Sequence, residues 1–353
     1  MSDKAYLCDD KKLADFIKCL YQKAGLDERT AEIHAHGLTE ASLRGVDSHG
    51  VMRTGAYFER FCKGAINRTP RMRTVSGDRA LTVIDADNAS GFVASHFAME
   101  RAIALAKKYN LGMVLVKNSN HFGAASIYAQ LAVDAGMIGT AATNVRPNIT
   151  APGAKGRVVG NNPFAIGIPT YDEQPFMLDM ALSVVAGGKL KMAARKGEKI
   201  PFGWATDRNG DPTDDPQKGF DGYFLPVGGF KGLGIAYVID ILCGVLTGGA
   251  FSDHLKSMYA DPDEPSGTCH LFLALNAEAV IGKEILKARM KEYREYIAAI
   301  PTVEDGPPLC FPGEIEETCK RDRQKNGLLL QPSIYEELKG YAERYDLPFR
   351  IEK

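Results

Sequence analysis

Between residues 80 and 116 the apolar residues change their period, and that change commits the chain to a mixed α/β body. Leu81-Thr82-Val83-Ile84-Asp85 is a short, β-branched run, residues 92 to 108 repeat at helical spacing, and Leu111-Gly112-Met113-Val114-Leu115-Val116 is continuously apolar. The order strand, helix, strand follows. Further strands are expected at 137–143, 163–170, 176–181 and 270–275. Periodicity does not distinguish parallel from antiparallel pairing in such a set.

Upstream of residue 80 the spacing is helical. Leu13, Phe16, Ile17 and Leu20 share one face, Asp27 reads as the N-cap of a second helix running to Gly45, and Phe58, Phe61 and Cys62 continue a buried stripe to Lys63-Gly64. The first 70 residues therefore read as a helical unit. Downstream of the strands lie a basic helix at 189–199, a Gly/Asp/Pro-rich excursion holding Trp204 and a long apolar helix at 233–247. A charged helix at 281–298 follows, then a helical tail at 316–338 broken at Asn326-Gly327.

Composition excludes several partners. In 353 residues, 43 Lys and Arg against 44 Asp and Glu give a net charge of -1, so no long-range field draws in nucleic acid or an anionic membrane. No apolar run is long enough to span a bilayer, and the first residues lack the order of a signal peptide. A cytoplasmic protein is expected. The seven cysteines are scattered, with no zinc-site spacing and no metal-ligand cluster.

Arg44-Gly45-Val46-Asp47-Ser48-His49-Gly50-Val51-Met52-Arg53 is the most informative stretch for chemistry. With Gly45 ending one helix and Ser48 capping the next, His49 and Arg53 are i and i+4 on one face at the positive end of a helix dipole. Such a face holds a small carboxylate beside an acid/base group; the plain alternative is a surface His and Arg that pair locally. Loops after strands supply further candidates by position, Asn118 to Gly123 and Thr143-Asn144. His121, flanked by Asn120 and Gly123, reads either as a substrate-facing imidazole or as a loop anchor. Asp179 is a carboxylate in an apolar strand; if buried it is an ion-pair partner or a catalytic support. His34 and His36 point to different faces of one helix, and His270 reads as a satisfied sheet residue. Residues 143–163 form a long binding-type loop. Glycines 228 to 234 around Lys231 suit a phosphate at a helix N-terminus, yet Gly-x-Gly-x-x-Gly and the Walker spacing are both absent, so a nicotinamide cofactor needs another cradle.

Taken with Asn118-Ser119-Asn120-His121-Phe122-Gly123, Gly160-Asn161-Asn162-Pro163, Leu178-Asp179-Met180-Ala181 and Pro226-Val227-Gly228-Gly229-Phe230-Lys231-Gly232, the Arg44–Gly50 motif resembles the type-2 malate/L-lactate dehydrogenase family of NAD(P)-dependent oxidoreductases. That family includes ureidoglycolate, diketogulonate, sulfolactate and cyclic-imine carboxylate enzymes. The resemblance implies a non-Rossmann NAD(P)-binding domain at 76–314 with a mostly antiparallel sheet. It also implies a helical domain at 1–75, to which 315–353 return, and a homodimer. It assigns His49 as acid/base, Arg53 with Ser48 as substrate carboxylate site, and His121 as a second catalytic imidazole. His49 ranks first, because Arg53 and the helix end give it a separate rationale. Asp179 joins the catalytic set, while His121, Asn144, Asn161, Asp179, Met180, Ala181, Lys231, Gly313 and Glu314 fall at cofactor positions.

The expected reaction is reversible hydride transfer between NAD(P) and a small 2-hydroxy/2-oxo carboxylic acid, with no metal required. Alternatives are reduction of a cyclic imine carboxylate and a non-catalytic dimeric binding protein on the same fold. The loop Pro169-Thr170-Tyr171-Asp172-Glu173-Gln174-Pro175 carries two acids and no base. This favours NAD over NADP, with Lys189, Lys191 or Arg195 as cations that could reach a 2′-phosphate.

Overall fold

Two aspartates open the helical unit. The computed structural model describes residues 5–171, 174–304 and 306–353. After strand β1 (Tyr6–Cys8), Asp9 accepts the Lys11 and Lys12 N–H groups at the start of α1 (Asp10–Lys23), and Asp27 accepts Thr30 N–H at the start of α2 (Glu28–Leu43). At Gly45 the backbone turns left-handed (φ 78°), and the Gly45 and Val46 N–H groups return to Ser42 and Ala41. Two 3₁₀ turns, Asp47–His49 and Val51–Arg53, precede α3 (Thr54–Cys62). Leu13, Phe16, Ile17, Leu20, Phe58 and Phe61 are buried together. Cys62 does not extend that stripe: it ends the helix beside its Lys63 cap and is exposed.

The α/β body follows as β2 (Arg73–Ser76), β3 (Leu81–Asp85), α4 (Gly91–Tyr109), β4 (Leu111–Ser119), α5 (Ser126–Asp134), β5 (Ile138–Thr143), β6 (Phe164–Ile168) and β7 (Phe176–Met180). The Trp204 excursion contains α6 (Gly187–Lys196), β8 (Ala205–Thr206), α7 (Pro216–Asp221) and β9 (Tyr223–Phe224), packed on a small core of Val185, Leu190, Ile200 and Ala205. Then come α8 (Phe230–Asp240), which runs on into a π turn at Ile241–Val245, and β10 (Thr268–Leu275).

Seven strands pair in the order β2-β3-β4-β10-β5-β6-β7. Only β3 and β4 run parallel among these neighbours, so the mostly antiparallel sheet implied by resemblance is what forms. Because β10 is antiparallel to both β4 and β5, those two strands run the same way, and β7, two antiparallel steps from β5, runs with them. The carboxyl ends of β4, β5 and β7 therefore share one edge of the sheet, which brings the segments after Ser119, Thr143 and Met180 together.

The chain closes with α9 (Glu278–Ile281), α10 (Lys283–Ala298), α11 (Glu314–Asn326), β11 (Leu328–Leu330) and α12 (Pro332–Arg344). The break at Asn326-Gly327 leads into a strand: β11 pairs with β1, Tyr6 against Leu330. Leu328, Leu330, Tyr335 and Leu338 join the core formed by α1 and α2, so the helices after residue 314 pack with those that precede the large sheet. The large sheet begins at Arg73, so a boundary at 75/76 falls inside β2.

Candidate active site

A cleft of about 490 Å³ opens between the helical unit and the shared sheet edge, with Ser48, His49, His121, Asp179, Met180 and Gly313 among its walls. The local structure around His49 differs from the expectation. Ser48 makes no cap bond, Gly50 is extended (φ -93°, ψ -150°), and the helix starts only at Thr54. An extended Gly50 interrupts the turn, so His49 and Arg53 sit on consecutive 3₁₀ turns instead of one α-helical face. They still converge. Arg53 Nε donates to Ser48 O at 2.7 Å and its guanidinium lies over the Tyr259 ring, 5.1 Å from the centroid. The terminal nitrogens make no hydrogen bond to the described residues, which leaves a flat two-donor edge of the shape a carboxylate takes.

The His49 ring stacks on His121, 5.5 Å between centroids and 15° between planes. Ser48 Oγ lies 2.9 Å from His49 Nδ1. Burial, with Arg53 adding to it, lowers His49 to about 4, and burial drives His121 well below the usual imidazole range, helped by His49 and Arg53. Both rings are neutral at pH 7. Tyr57 Oη is 2.5 Å from His121 Nδ1, and the Gly123 backbone N–H donates to the same nitrogen at 3.3 Å. A backbone N–H can only donate, so Nδ1 carries the lone pair, Tyr57 also donates, and the ring proton sits on Nε2.

Buried in its apolar strand, Asp179 would need an ion-pair partner or a catalytic task. Its side chain instead reaches solvent through the cleft, because β7 is the edge strand and its end forms the cleft floor. The walls enclose it closely enough that desolvation raises its carboxyl; Glu316 pushes the same way, while the Ser126 hydrogen bonds and Arg44 oppose. Ser126 N–H, at the start of α5, donates to Asp179 Oδ2 at 2.9 Å.

Met180, Ala181 and Asn161 also line the cleft, with Asn161 held by Asn148 through bonds of 2.7 and 3.0 Å. Three proposed cofactor positions are elsewhere. Asn144 is buried, its amide donating to Asp240 and Ala250 and accepting from Cys269 N–H. Every polar atom of that side chain is thus spent on holding β5 to its surroundings. Lys231 is exposed in the first turn of α8, outside the cleft walls. Glu314 accepts Phe311 N–H at 2.9 Å and faces Arg294 at 3.7 Å. Of the loop that was to choose the cofactor, Asp172 and Glu173 lie outside the described residues.

His34 and His270 are structural, as their settings suggested: His34 Nε2 meets Ser90 Oγ at 2.7 Å, and His270 bridges Thr143 and Ser119 at 2.8 and 2.9 Å. Sequence reasoning missed Arg44, Tyr57, Ser126 and Tyr259. Tyr57 had a signal, since it lies four residues after Arg53 in the first turn of α3; Tyr259 comes from a loop distant in sequence and had none.

The cleft suits a dinucleotide by its chemistry. Phe122, Met180 and Ile315 offer apolar walls to flat rings, Asp179 and Asn161 offer partners to hydroxyls, and Arg44 stands in the wall paired with Glu40 and Glu317. The sequence profile described as malate/L-lactate dehydrogenase matches residues 8–339. The chain belongs to that family. Malate dehydrogenase of Pyrococcus abyssi is 38% identical over 341 residues, covering 94% of this chain and 93% of that protein. Ureidoglycolate dehydrogenase (NAD(+)) of Escherichia coli K12 is 32% identical over 316 residues, 90% of each chain. The solved sulfolactate dehydrogenase of Methanocaldococcus jannaschii superposes with a TM-score of 0.91 at 36% identity, over 97% of this chain and 98% of that one. As a member of the malate/L-lactate dehydrogenase family, the chain is an oxidoreductase of hydroxy or oxo acids.

Proposed function

We propose that the protein transfers hydride reversibly between a nicotinamide dinucleotide and a small 2-hydroxy/2-oxo carboxylic acid. One observation carries this reading: the guanidinium edge of Arg53, which has no hydrogen-bond partner among the described residues, stands beside two neutral, stacked imidazoles that line a dinucleotide-sized cleft. Arg53, with Ser48 beside it, receives the substrate carboxylate. His49, neutral at working pH, takes the hydroxyl proton during oxidation and returns it during reduction. His121 presents Nε2–H to the reacting oxygen, and Tyr57 keeps that tautomer in place. Asp179, Asn161, Met180, Ala181 and Gly313 line the dinucleotide side, where the nicotinamide supplies hydride acceptance and donation. The sheet unit, 76–314, thus carries the cofactor, and the helical unit, 1–75 with 315–353, carries Arg53 and His49.

NAD is the favoured dinucleotide, since the 169–175 loop, which the family resemblance implies lies near the adenosine ribose, has two acids and no base in its sequence, whereas an NADP site needs cations. A homodimer fits the outward face of α8 and its π turn, where Phe230, Ile235, Val238, Ile241, Val245 and Leu246 are all exposed. No helix among the described residues is long and apolar enough to cross a membrane, and the cysteines are free, which suits a reducing cytoplasm. The test is a panel of L-malate, L-lactate, L-sulfolactate and ureidoglycolate with NAD⁺ and NADP⁺, run in reverse with oxo acids and with pyrroline or piperideine carboxylates. Turnover confined to the cyclic imines would replace the hydroxy acid reading, and a preference for NADP would overturn the cofactor choice.

A further inference from the structure

Asp47 belongs to the motif that supplies Ser48 and His49, yet the chemistry above gives it no task. Its partner comes from the far end of the chain. Arg323 of α11 grips the Asp47 carboxylate with both arms of its guanidinium, Nη1 at 2.6 Å and Nη2 at 3.2 Å, and Nη1 also donates to Ser42 O at the end of α2.

The same face of α11 makes two more ion pairs at three-residue spacing. Glu317 faces Arg44 at 3.6 Å and Lys320 faces Glu40 at 2.7 Å. Read along the helix, Glu317, Lys320 and Arg323 meet Arg44, Glu40 and Asp47, each against a residue of opposite charge. The N-terminal end of α11 is fixed elsewhere. Met177 N–H, on the strand that carries Asp179, donates to Pro312 O at 2.9 Å, and Gly313 and Glu316 stand in the cleft wall. One helix therefore spans from the cofactor side of the cleft to the turn that carries the proton-transfer histidine.

That turn is sealed on its other side by α2. Val51 N–H donates to Ser42 Oγ at 2.9 Å, and a side chain at Gly50 would place its Cβ 2.1 Å from that oxygen. With Ser42 fixing Val51 and Arg323 fixing Asp47, the 3₁₀ turn is pinned on both flanks of His49. Between these anchors His49 faces Ser48, His121 and Arg53.

We propose that Arg323 is a positioning residue for the reaction: through its two-armed contact with Asp47 it holds the His49 turn in register with the cofactor wall, using α11 as the strut. This rests on His49 being the proton-transfer group. Asp47 is 58% exposed and Arg323 25% exposed, so the ion pair itself contributes little to stability. Its effect falls on placement, where a shift on the order of 1 Å costs up to about a hundredfold in rate.

The test uses full-length R323M, R323K and D47N, each alone and with H49A. Readouts are kcat, KM for the hydroxy acid, dinucleotide Kd by calorimetry, and the acid limb of kcat/KM for oxidation. The expected result for R323M is a fall of kcat by roughly tenfold or more, with dinucleotide Kd unchanged and the acid limb moved toward the ordinary imidazole value as His49 gains solvent. R323K should recover part of the loss, and R323M should add nothing in the H49A background. An R323M enzyme with wild-type kcat and acid limb overturns the proposal, as does an equal fractional loss from R323M with and without His49. If H49A alone turns over like wild type, the proton-transfer reading falls and the proposal with it; H49A inactive with R323M unimpaired removes the proposal alone.

Discussion

His49 and His121 lie nearly parallel, 5.5 Å apart and 15° between planes, although one ring comes from a 3₁₀ turn of the helical unit and the other from the loop after β4. Two imidazolium charges at that separation repel in a poorly solvated cleft, so at most one of the two rings is an imidazolium in any state of the reaction. The pair divides its work through its neighbours: Tyr57 and Gly123 occupy Nδ1 of His121, whereas His49 has only a serine hydroxyl on its Nδ1.

The pH dependence follows from that division. Oxidation needs neutral His49, whose burial sets it near 4. Activity should therefore hold as pH falls from 7 toward 5 and decline only as His49 begins to protonate. Measuring kcat/KM for the hydroxy acid across this range checks it; an acid limb centred near the ordinary imidazole value of about 6.5 would show a solvated His49.

Removing the proton-transfer group should act on turnover and spare binding. His49→Ala is expected to lower kcat by roughly 10²–10⁴, while calorimetry still detects dinucleotide binding. Near-wild-type turnover would sink the assignment.

Arg53 offers a planar edge held by Ser48 O and the Tyr259 ring. Arg53→Lys keeps the charge and loses the fork, so KM for the carboxylate substrate should rise roughly ten- to a hundredfold, the equivalent of one charged hydrogen bond. Tyr259→Ala, which removes the stacking surface, should raise KM in the same direction by less, and Tyr259→Phe should restore it. An unchanged KM in Arg53→Lys would place the carboxylate elsewhere.

Tyr57 is fully buried and fixes His121 through one hydrogen bond. Tyr57→Phe should keep the packing and lower kcat by about tenfold, the value of a single net hydrogen bond. A variant in which only thermal stability changes would make Tyr57 a structural residue.

Acid sensitivity of the fold has a separate source. Burial lowers His34 and His270 to about 3, whereas the unfolded chain binds protons on both near 6.5. Between those values the unfolded state holds more protons, so stability is complete above about 6.5 and falls as pH drops, by about 1.4 kcal/mol per pH unit for each histidine. Urea unfolding at pH 7 and pH 5 measures this. A His34→Phe variant should show a shallower slope, and an identical slope would remove His34 from the account.

What could be read in advance divides along the range of the interactions. The helices that open on Asp9 and Asp27, the turn at Gly45, and the strand–helix–strand from Leu81 to Val116 are written in caps and periodicity, which are local. Which strands are neighbours is set by contacts between residues far apart in sequence, such as His270 against Thr143, and periodicity carries no mark of these. Asp179 stands in an apolar strand, which leaves its burial open, and only the place of β7 at the sheet's edge shows that it opens into the cleft. Ser48 has the composition of a cap, but the extended Gly50 lets Val51 reach Ser42 and delays the helix. Tyr259 and Arg323 come from distant segments, and no spacing rule reaches them.

The most direct test of hydride transfer is to follow the substrate hydrogen itself. With a 2-hydroxy acid turned over by this enzyme, made with deuterium at C2, and NAD⁺ as acceptor, the reduced dinucleotide should carry that deuterium at the nicotinamide ring, and single-turnover reduction should slow relative to the protio acid. Reduced dinucleotide free of deuterium, or no reduction of either dinucleotide by any acid of the panel, would contradict direct transfer between the two molecules in this cleft.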